Sequence, residues 1–287
     1  MNAPLARGFP HPRVVHRGGR LELGLVRCGA RTRIGPQFAS YPFHLTRSFD
    51  LDPAIPELTT LYLQSSSGGL YGGERLTAEI TVGEGAAVHI TSQAATIVHD
   101  AHGQDTVQDV ALELAAGSFL AYAPDPLVLF PGARLSASSR LRLAPGAVAL
   151  LTDAIADHRL AGDDRPFDRY ESSVVVTDVA GRLLVSDRMS TDGKGFARAI
   201  GAGDRRWTTA GAALLLGAAA DLPPASAVDA AIHTPSSVGG VTALPNGAGY
   251  GVRILAARSG ALREAITGLF GVVAHHRFGA SPVARRK

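Results

Sequence analysis

Four stretches of the chain share one pattern of apolar and polar positions. Each has an alternating run, a short turn with a glycine, and a second apolar run. Alternation is typical of strands with one buried face, and glycine tolerates the positive φ that tight turns require. The four stretches are 78–91, 110–123, 139–152 and 173–186. Their turn glycines, Gly85, Gly117, Gly146 and Gly181, are 32, 29 and 35 residues apart.

One unit of this kind cannot bury its apolar face alone, whereas several stacked units can. The repeat therefore predicts a mainly β fold: an elongated, layered, solenoid-like stack of hairpins over roughly residues 15 to 205. An ordinary β-sandwich is the less favoured alternative, which the degenerate repeat leaves open.

The C-terminal part has a helical pattern instead. Five apolar residues recur at helical spacing, which predicts an amphipathic helix over 259–277 with Ser259 as its cap. These residues are Leu262, Ile266, Leu269, Phe270 and Val273. We expect a shorter helix within 222–234, and a turn followed by a strand at 244–257. No stretch of linker composition separates these parts, so we expect one domain over 1–287 with a flexible tail at 1–15.

Composition narrows the class of protein. The net charge is +3, only 18% of residues are charged, and 33 are glycine, which suits a β-rich body or a surface that a partner covers. No basic stripe is interleaved with aromatic residues, so nucleic-acid binding is not expected. Cys28 is the single cysteine, which suits a reducing compartment. The longest apolar run, 210–220, is too short to span a bilayer, so we expect a cytoplasmic protein without a membrane segment.

The glycine-rich stretch 68–73 does not fit a phosphate-binding loop. It is followed by Glu74, where a phosphate loop needs lysine, and then by the strand-like run 75–82. The chain also lacks a G-x-S-x-G nucleophile motif. We therefore predict neither nucleotide binding nor enzymatic activity.

Two clusters of polar residues nevertheless allow other chemistry. His99 and His102, with nearby carboxylates, are candidate ligands for nickel or zinc, although a polar loop is the favoured explanation. Paired carboxylates at Asp153/Asp157 and Asp163/Asp164 suggest, as an alternative function, a β-solenoid carbohydrate-active enzyme. The chain has only one tryptophan and six tyrosines to line a sugar groove, which disfavours that alternative.

The segment 68–99, GGLYGGERLTAEITVGEGAAVHITSQAATIVH, resembles the signature of the UreD/UreH urease accessory proteins. The matching residues form a glycine run and a later polar block. They are Gly68, Gly69, Leu70, Gly72, Gly73, Glu74 and Leu76, and then Ile90, Thr91, Ser92, Gln93, Ala94, Ala95 and Thr96. Weaker similarity in the same order runs from about residue 40 to 275. The stretch 153–170 departs from the family pattern.

The resemblance implies a scaffold that is not an enzyme. Such a protein contacts apo-urease and the UreF-like and UreG-like accessory proteins and helps deliver nickel, while GTP hydrolysis belongs to the UreG-like partner. We expect no tightly bound cofactor, only transient nickel. A layered β body can enclose a polar channel, and weak ligands suit transfer because a closed site would trap the ion.

The resemblance also suggests roles for individual residues. We predict that Gly68, Gly69, Gly72 and Gly73 allow a sharp turn and close packing. Gln93 and Thr96 are predicted to be buried groups whose hydrogen bonds connect adjacent layers. The candidate channel-facing polar groups are Glu74, Thr91, Ser92 and Asp153.

Overall fold

The computed structural model describes residues 18–158, 165–201 and 207–285. The predicted tail at 1–15 and the carboxylates Asp163 and Asp164 lie outside these ranges. The strands of the described residues are, in chain order, β1 (Gly18–Cys28), β2 (Arg31–Ala39), β3 (Phe43–Leu45), β4 (Leu58–Ser65), β5 (Arg75–Val82), β6 (Ala87–Ser92), β7 (Thr96–Val98), β8 (Thr106–Leu114), β9 (Phe119–Tyr122), β10 (Leu127–Leu129), β11 (Arg134–Leu143), β12 (Val148–Asp157), β13 (Arg169–Asp178), β14 (Leu183–Thr191), β15 (Thr209–Leu216), β16 (Ser237–Ala243) and β17 (Gly249–Ala256).

The strands form two sheets. Sheet A has the order β14-β13-β11-β8-β5-β1-β2, and sheet B has the order β16-β17-β15-β12-β9-β6-β4-β3. The short strands β7 and β10 extend sheet B beside the end of β12. The helices of the described residues are α1 (Gly193–Ile200), α2 (Ala225–Ile232) and α3 (Ser259–Phe278).

The central strands are parallel, and their register repeats the spacing of the turn glycines. Arg75 of β5 pairs with Val107 of β8, an offset of 32 residues. The offset is 29 residues between β8 and β11, and Arg134 of β11 pairs with Arg169 of β13, 35 residues on. Because each turn of chain stacks on the previous one, the mainly β, solenoid-like prediction is confirmed.

Most of the repeated units are not hairpins, because their two strands lie in different sheets. In the first three units the turn carries the chain from sheet A to sheet B, so its two flanking strands do not pair with each other. In the fourth unit, β13 and β14 do form an antiparallel hairpin. The turn glycines have positive φ in all four cases, for example +61° at Gly85 and +82° at Gly181. The local pattern therefore fixes the turn but not the partner of each strand.

Two apolar layers hold the molecule together. One lies between the two sheets and includes Leu23, Ile80 and Leu112. The other lies between sheet B and the helices, where Gly211 brings β15 close to Leu262 of α3. A Cβ at Gly211 would lie 2.9 Å from a methyl carbon of Leu262. The fold is therefore three layers deep: sheet A, sheet B and the helices.

Helix α3 buries the apolar face that its spacing predicts. The five residues Leu262, Ile266, Leu269, Phe270 and Val273 are all buried. The predicted cap is wrong, because Ser259 lies inside the helix and the extended residue Arg258 precedes it without a side-chain capping bond. The helix ends at Gly279, which has φ +71° and donates its N–H to the carbonyl of His275.

The other C-terminal elements lie where their patterns indicate. The shorter helix is α2, and the stretch 244–257 is a 3₁₀ turn followed by β17. Of the helices in the described ranges, none is long and apolar enough to cross a membrane. That the whole chain forms one domain stays a prediction.

Candidate functional site

The glycine-rich turn 68–74 packs directly on the backbone of the next solenoid turn. A Cβ at Gly72 would lie only 2.2 Å from the carbonyl oxygen of Ala101. Gly69 has φ +148°, and a Cβ there would lie 2.4 Å from the carbonyl oxygen of Ile97. Any larger residue at either position would separate the two turns of chain.

Glu74 completes this turn and does not line the cavity described below. Its side chain is buried, and Oε2 accepts a hydrogen bond from the backbone N–H of Tyr71 at 3.1 Å. Gly73 has φ +81°, and a Cβ at Gly68 would lie 3.0 Å from the hydroxyl of Tyr71. The prediction of a channel-facing Glu74 is therefore corrected: its carboxylate is used to close the turn.

Gln93 and Thr96 occupy different environments. Gln93 is exposed, so the prediction of a buried amide is wrong. Its Oε1 nevertheless accepts a hydrogen bond from Nε2 of Gln64, on the neighbouring strand β4. Thr96 is half-buried at the start of β7 and lines the cavity.

A cavity of about 190 Å³ lies between sheets A and B. Its wall is mainly apolar, with polar groups from both sheets. Three of the predicted channel residues, Thr91, Ser92 and Asp153, are part of this wall. Ser92 Oγ accepts a hydrogen bond from the N–H of Asp125 at 2.8 Å, which ties two segments of the wall together.

Asp153 is a part-buried carboxylate in the wall of the cavity. It lies on β12, and the hydroxyls of Tyr170 and Ser172 on β13 donate hydrogen bonds to its carboxylate. The surface that it keeps accessible faces the cavity. Burial raises the pKa of Asp153, and the negative charge of Asp187 acts in the same direction. The two hydroxyl groups and the guanidinium of Arg253 oppose that change.

Three further cavity residues were missed from the sequence. Arg253 on β17 donates from one nitrogen to both carboxylate oxygens of Asp187 on β14, at 2.7 and 2.9 Å. Tyr122 on β9 also lines the cavity, and burial raises its pKa to about 12. A charged residue inside an apolar strand run, such as Arg253 between Val252 and Ile254, was the available signal.

The candidate metal ligands His99 and His102 do not form a cluster. The ring of His99 stacks on Tyr71 with a centroid distance of 4.3 Å, and its Nε2 lies 3.3 Å from the carbonyl oxygen of Gly68. His102 is exposed, with Nδ1 3.6 Å from Asp100 Oδ1. Within residues 18–158, 165–201 and 207–285, no three His, Cys, Asp or Glu side chains are grouped to hold a metal ion.

The carboxylates proposed for sugar chemistry are poorly placed. Asp153 and Asp157 lie on the same strand, β12, four residues apart. At about 3.3 Å per residue they are roughly 13 Å apart, whereas glycosidases place their two carboxyl groups about 5–9.5 Å apart. The described residues therefore give no support to the carbohydrate-active alternative.

The fold and the site define a class: a β-solenoid protein that encloses a cavity with several polar groups between its sheets and carries a helical layer on one face. Its sequence matches the family model described as UreD urease accessory protein over residues 17–287. The chain belongs to this family, as its glycine run and polar block predicted.

Curated relatives cover nearly the whole chain. The urease accessory protein UreD 1 of Methylorubrum populi is 42% identical over 275 residues, which covers 94% of this chain and 92% of the relative. The protein of the same name from Methylorubrum extorquens is 41% identical over 99% of this chain and 96% of the relative. A third relative, from Bradyrhizobium sp. BTAi1, is 37% identical over 92% of this chain and 93% of the relative. These are accessory proteins, so the chain has a role in urease maturation and is not an enzyme.

Proposed function

We propose that this protein is a cytoplasmic scaffold that binds apo-urease and UreF-like and UreG-like accessory proteins, and lets nickel pass through the cavity between its sheets. Family membership supports the coarser role in urease maturation. The observation that carries the finer proposal is the cavity itself, with the enclosed carboxylate of Asp153 in its wall.

The polar groups of the cavity suit the passage of a cation better than its retention. Carboxylate and hydroxyl oxygens from Asp153, Ser92 and Thr91 offer weak ligation to a divalent ion. A structural metal site needs several converging ligands and holds its ion tightly. Because the described residues contain no such group, an ion that enters the cavity remains free to leave it.

Burial of Asp153 makes the uptake of a cation by the cavity depend on pH. Its raised pKa means that a proton competes with an entering cation for the same carboxylate. Tyr170 and Ser172 hold the carboxylate in position and stabilise its charged form. The cavity therefore takes up a cation more readily as the pH rises through the pKa of Asp153.

The outer surface offers places where partners can bind. Phe38, near the end of the edge strand β2, and Tyr41, just after that strand, are each 51% exposed. Val179 and Leu183 are 52% and 53% exposed at the tip of the β13–β14 hairpin. Contiguous exposed apolar patches mark surfaces that other proteins cover, and we propose these two places as the centres of such surfaces.

The proposal is tested in the native host by removing the chain. Without it, we expect urease to be synthesised but to lack nickel, and re-expression of the chain to restore the nickel content. The tagged chain is expected to co-purify with urease subunits and with the two accessory partners. Urease with its full complement of nickel in the deletion strain would contradict the proposal.

A further inference from the structure

An ion pair bridges the two sheets at one side of the cavity. Arg253 lies on β17 in sheet B, and Asp187 lies on β14, the edge strand of sheet A. Their side chains are 53% and 27% exposed, and the guanidinium contacts both carboxylate oxygens. Both residues line the cavity, so this ion pair forms part of its wall.

The same guanidinium also acts on Asp153. In sheet B, Asp153 pairs with Ala212, and Ala212 pairs with Arg253. Directly paired residues of antiparallel strands point to the same face, so all three face sheet A. The small side chain of Ala212 leaves space between the two charged ones. Arg253 stabilises the charge of Asp153, which is consistent with this placement.

Arg253 is the one basic residue among the described residues of the cavity wall. The wall also contains three carboxyl groups, those of Asp125, Asp153 and Asp187. It further contains Tyr122, whose pKa is raised to about 12 by burial.

We propose that Arg253 and Asp187 form a latch, in which the guanidinium occupies the place of a divalent cation between Asp187 and Asp153 until an entering cation displaces it. This inference rests on the proposed passage of nickel through the cavity. It assigns to Arg253 the role of a positioning residue that keeps the empty path closed and offsets part of the negative charge of its carboxylates.

The exposure of the pair makes the exchange feasible. A partly exposed ion pair contributes little to stability, so breaking it has a small effect on the fold. More than half of the Arg253 side chain already faces solvent, so it can turn outwards without disturbing the core. A divalent ion brings twice the charge of the guanidinium to the same carboxylates, and the attraction scales with that charge.

The test is the affinity of the purified full-length chain for Ni²⁺, measured by competition with a chromophoric chelator. Arg253→Met removes the competing charge, and we expect about tenfold tighter binding than in the wild type, because a like charge next to the ion is lost. Arg253→Lys keeps the charge and is expected to bind as weakly as the wild type. Asp187→Asn in the Arg253→Met background is expected to abolish the gain.

The matched control is Arg142→Met, which breaks an ion pair with Glu113 on the outer face of sheet A; the side chain of Arg142 is 54% exposed, close to the 53% of Arg253. Thermal melts establish that each variant folds, and Arg253→Gln replaces Arg253→Met if the latter does not. The latch is overturned if the Arg253→Met and Arg142→Met variants bind Ni²⁺ equally, or if Arg253→Lys binds as tightly as Arg253→Met. Failure of the proposed function would show instead as urease that acquires nickel without this chain.

Discussion

At the scale of single residues, Asp153 combines burial with several directed interactions. Hydroxyls of Tyr170 and Ser172 donate to its carboxylate, while Arg253 and Asp187 act on it with opposite charges. Burial is the largest of these effects, and it favours the protonated acid. The protonation state of this carboxylate is therefore coupled to the stability of the fold.

The coupling predicts how stability depends on pH. Because the pKa of Asp153 is raised in the folded chain, the folded state binds the proton more tightly than the unfolded state. This contribution is fully present below the unfolded pKa of about 3.9 and is lost as the pH rises through the folded pKa. Relative to Asp153→Asn, the wild type should lose melting temperature as the pH rises from acid towards neutral.

Differential scanning calorimetry across that range measures the effect. Glu113→Gln, which changes an exposed carboxylate on the outer face of sheet A, serves as the control. A difference in melting temperature between wild type and Asp153→Asn that stays constant with pH would contradict the assignment.

The same residues show how far a site can be predicted from sequence. Asp153 was found because the family resemblance pointed to its position. Asp187 and Arg253 were missed because neither belongs to a recognisable motif and they are 66 residues apart in the chain. Their contact depends on the β13–β14 hairpin and on the way the two sheets stack, and no local pattern encodes that arrangement. The prediction for Glu74 was wrong because its position in the motif does not reveal that its carboxylate accepts a hydrogen bond from Tyr71 within the same turn.

At the scale of elements, the spacing of turn glycines proved the most informative signal. Spacings of 32, 29 and 35 residues reappear as the register offsets between parallel strands. The sequence did not reveal whether the two strands of a unit pair with each other, because a strand–turn–strand pattern suits both a hairpin and a connection between two sheets. The decision depends on which packing buries more apolar surface, which is a property of the stack and not of one unit.

The segment after α3 is attached to the fold by a buried ion pair. Arg285 donates two hydrogen bonds to Asp52, at 2.9 and 2.6 Å, and the N–H of Val283 donates to the same carboxylate at 2.7 Å. The side chains of Arg285 and Asp52 are only 6% and 1% exposed. Arg285 also lies over the ring of Phe270 in α3, 5.8 Å from its centroid. The ion pair thus connects the loop before β4 to the helical layer.

Removing one partner of this pair should be strongly destabilising. Asp52→Asn leaves the guanidinium of Arg285 buried without its counter-charge, and we expect a loss of about 3–5 kcal/mol in the free energy of unfolding. Urea denaturation followed by circular dichroism measures that loss. Glu264→Gln, at an exposed pair with Arg258, should change stability by less than about 0.5 kcal/mol. Equal stability of the two variants would show that the buried pair does not hold the C-terminal segment.

At the scale of the whole molecule, the fold separates two kinds of surface. The outer face of sheet A carries exposed ion pairs such as Arg75 with Asp109, and its strands are solvated. The inner faces of the two sheets enclose the cavity, and the helical layer covers the other side of sheet B. The proposed function assigns the outer surface to partners and the enclosed interior to the ion.

The most direct test of this account is the nickel content of urease matured with Asp153→Asn in place of the wild-type chain. Urease is purified from the native host, and its nickel per active site is measured by mass spectrometry, with Glu113→Gln as the matched carboxylate-to-amide control. The account predicts a severalfold loss of nickel with Asp153→Asn, normal nickel with Glu113→Gln, and unchanged co-purification of both variants with urease. Normal nickel content with a folded, urease-bound Asp153→Asn variant would contradict a path through the cavity.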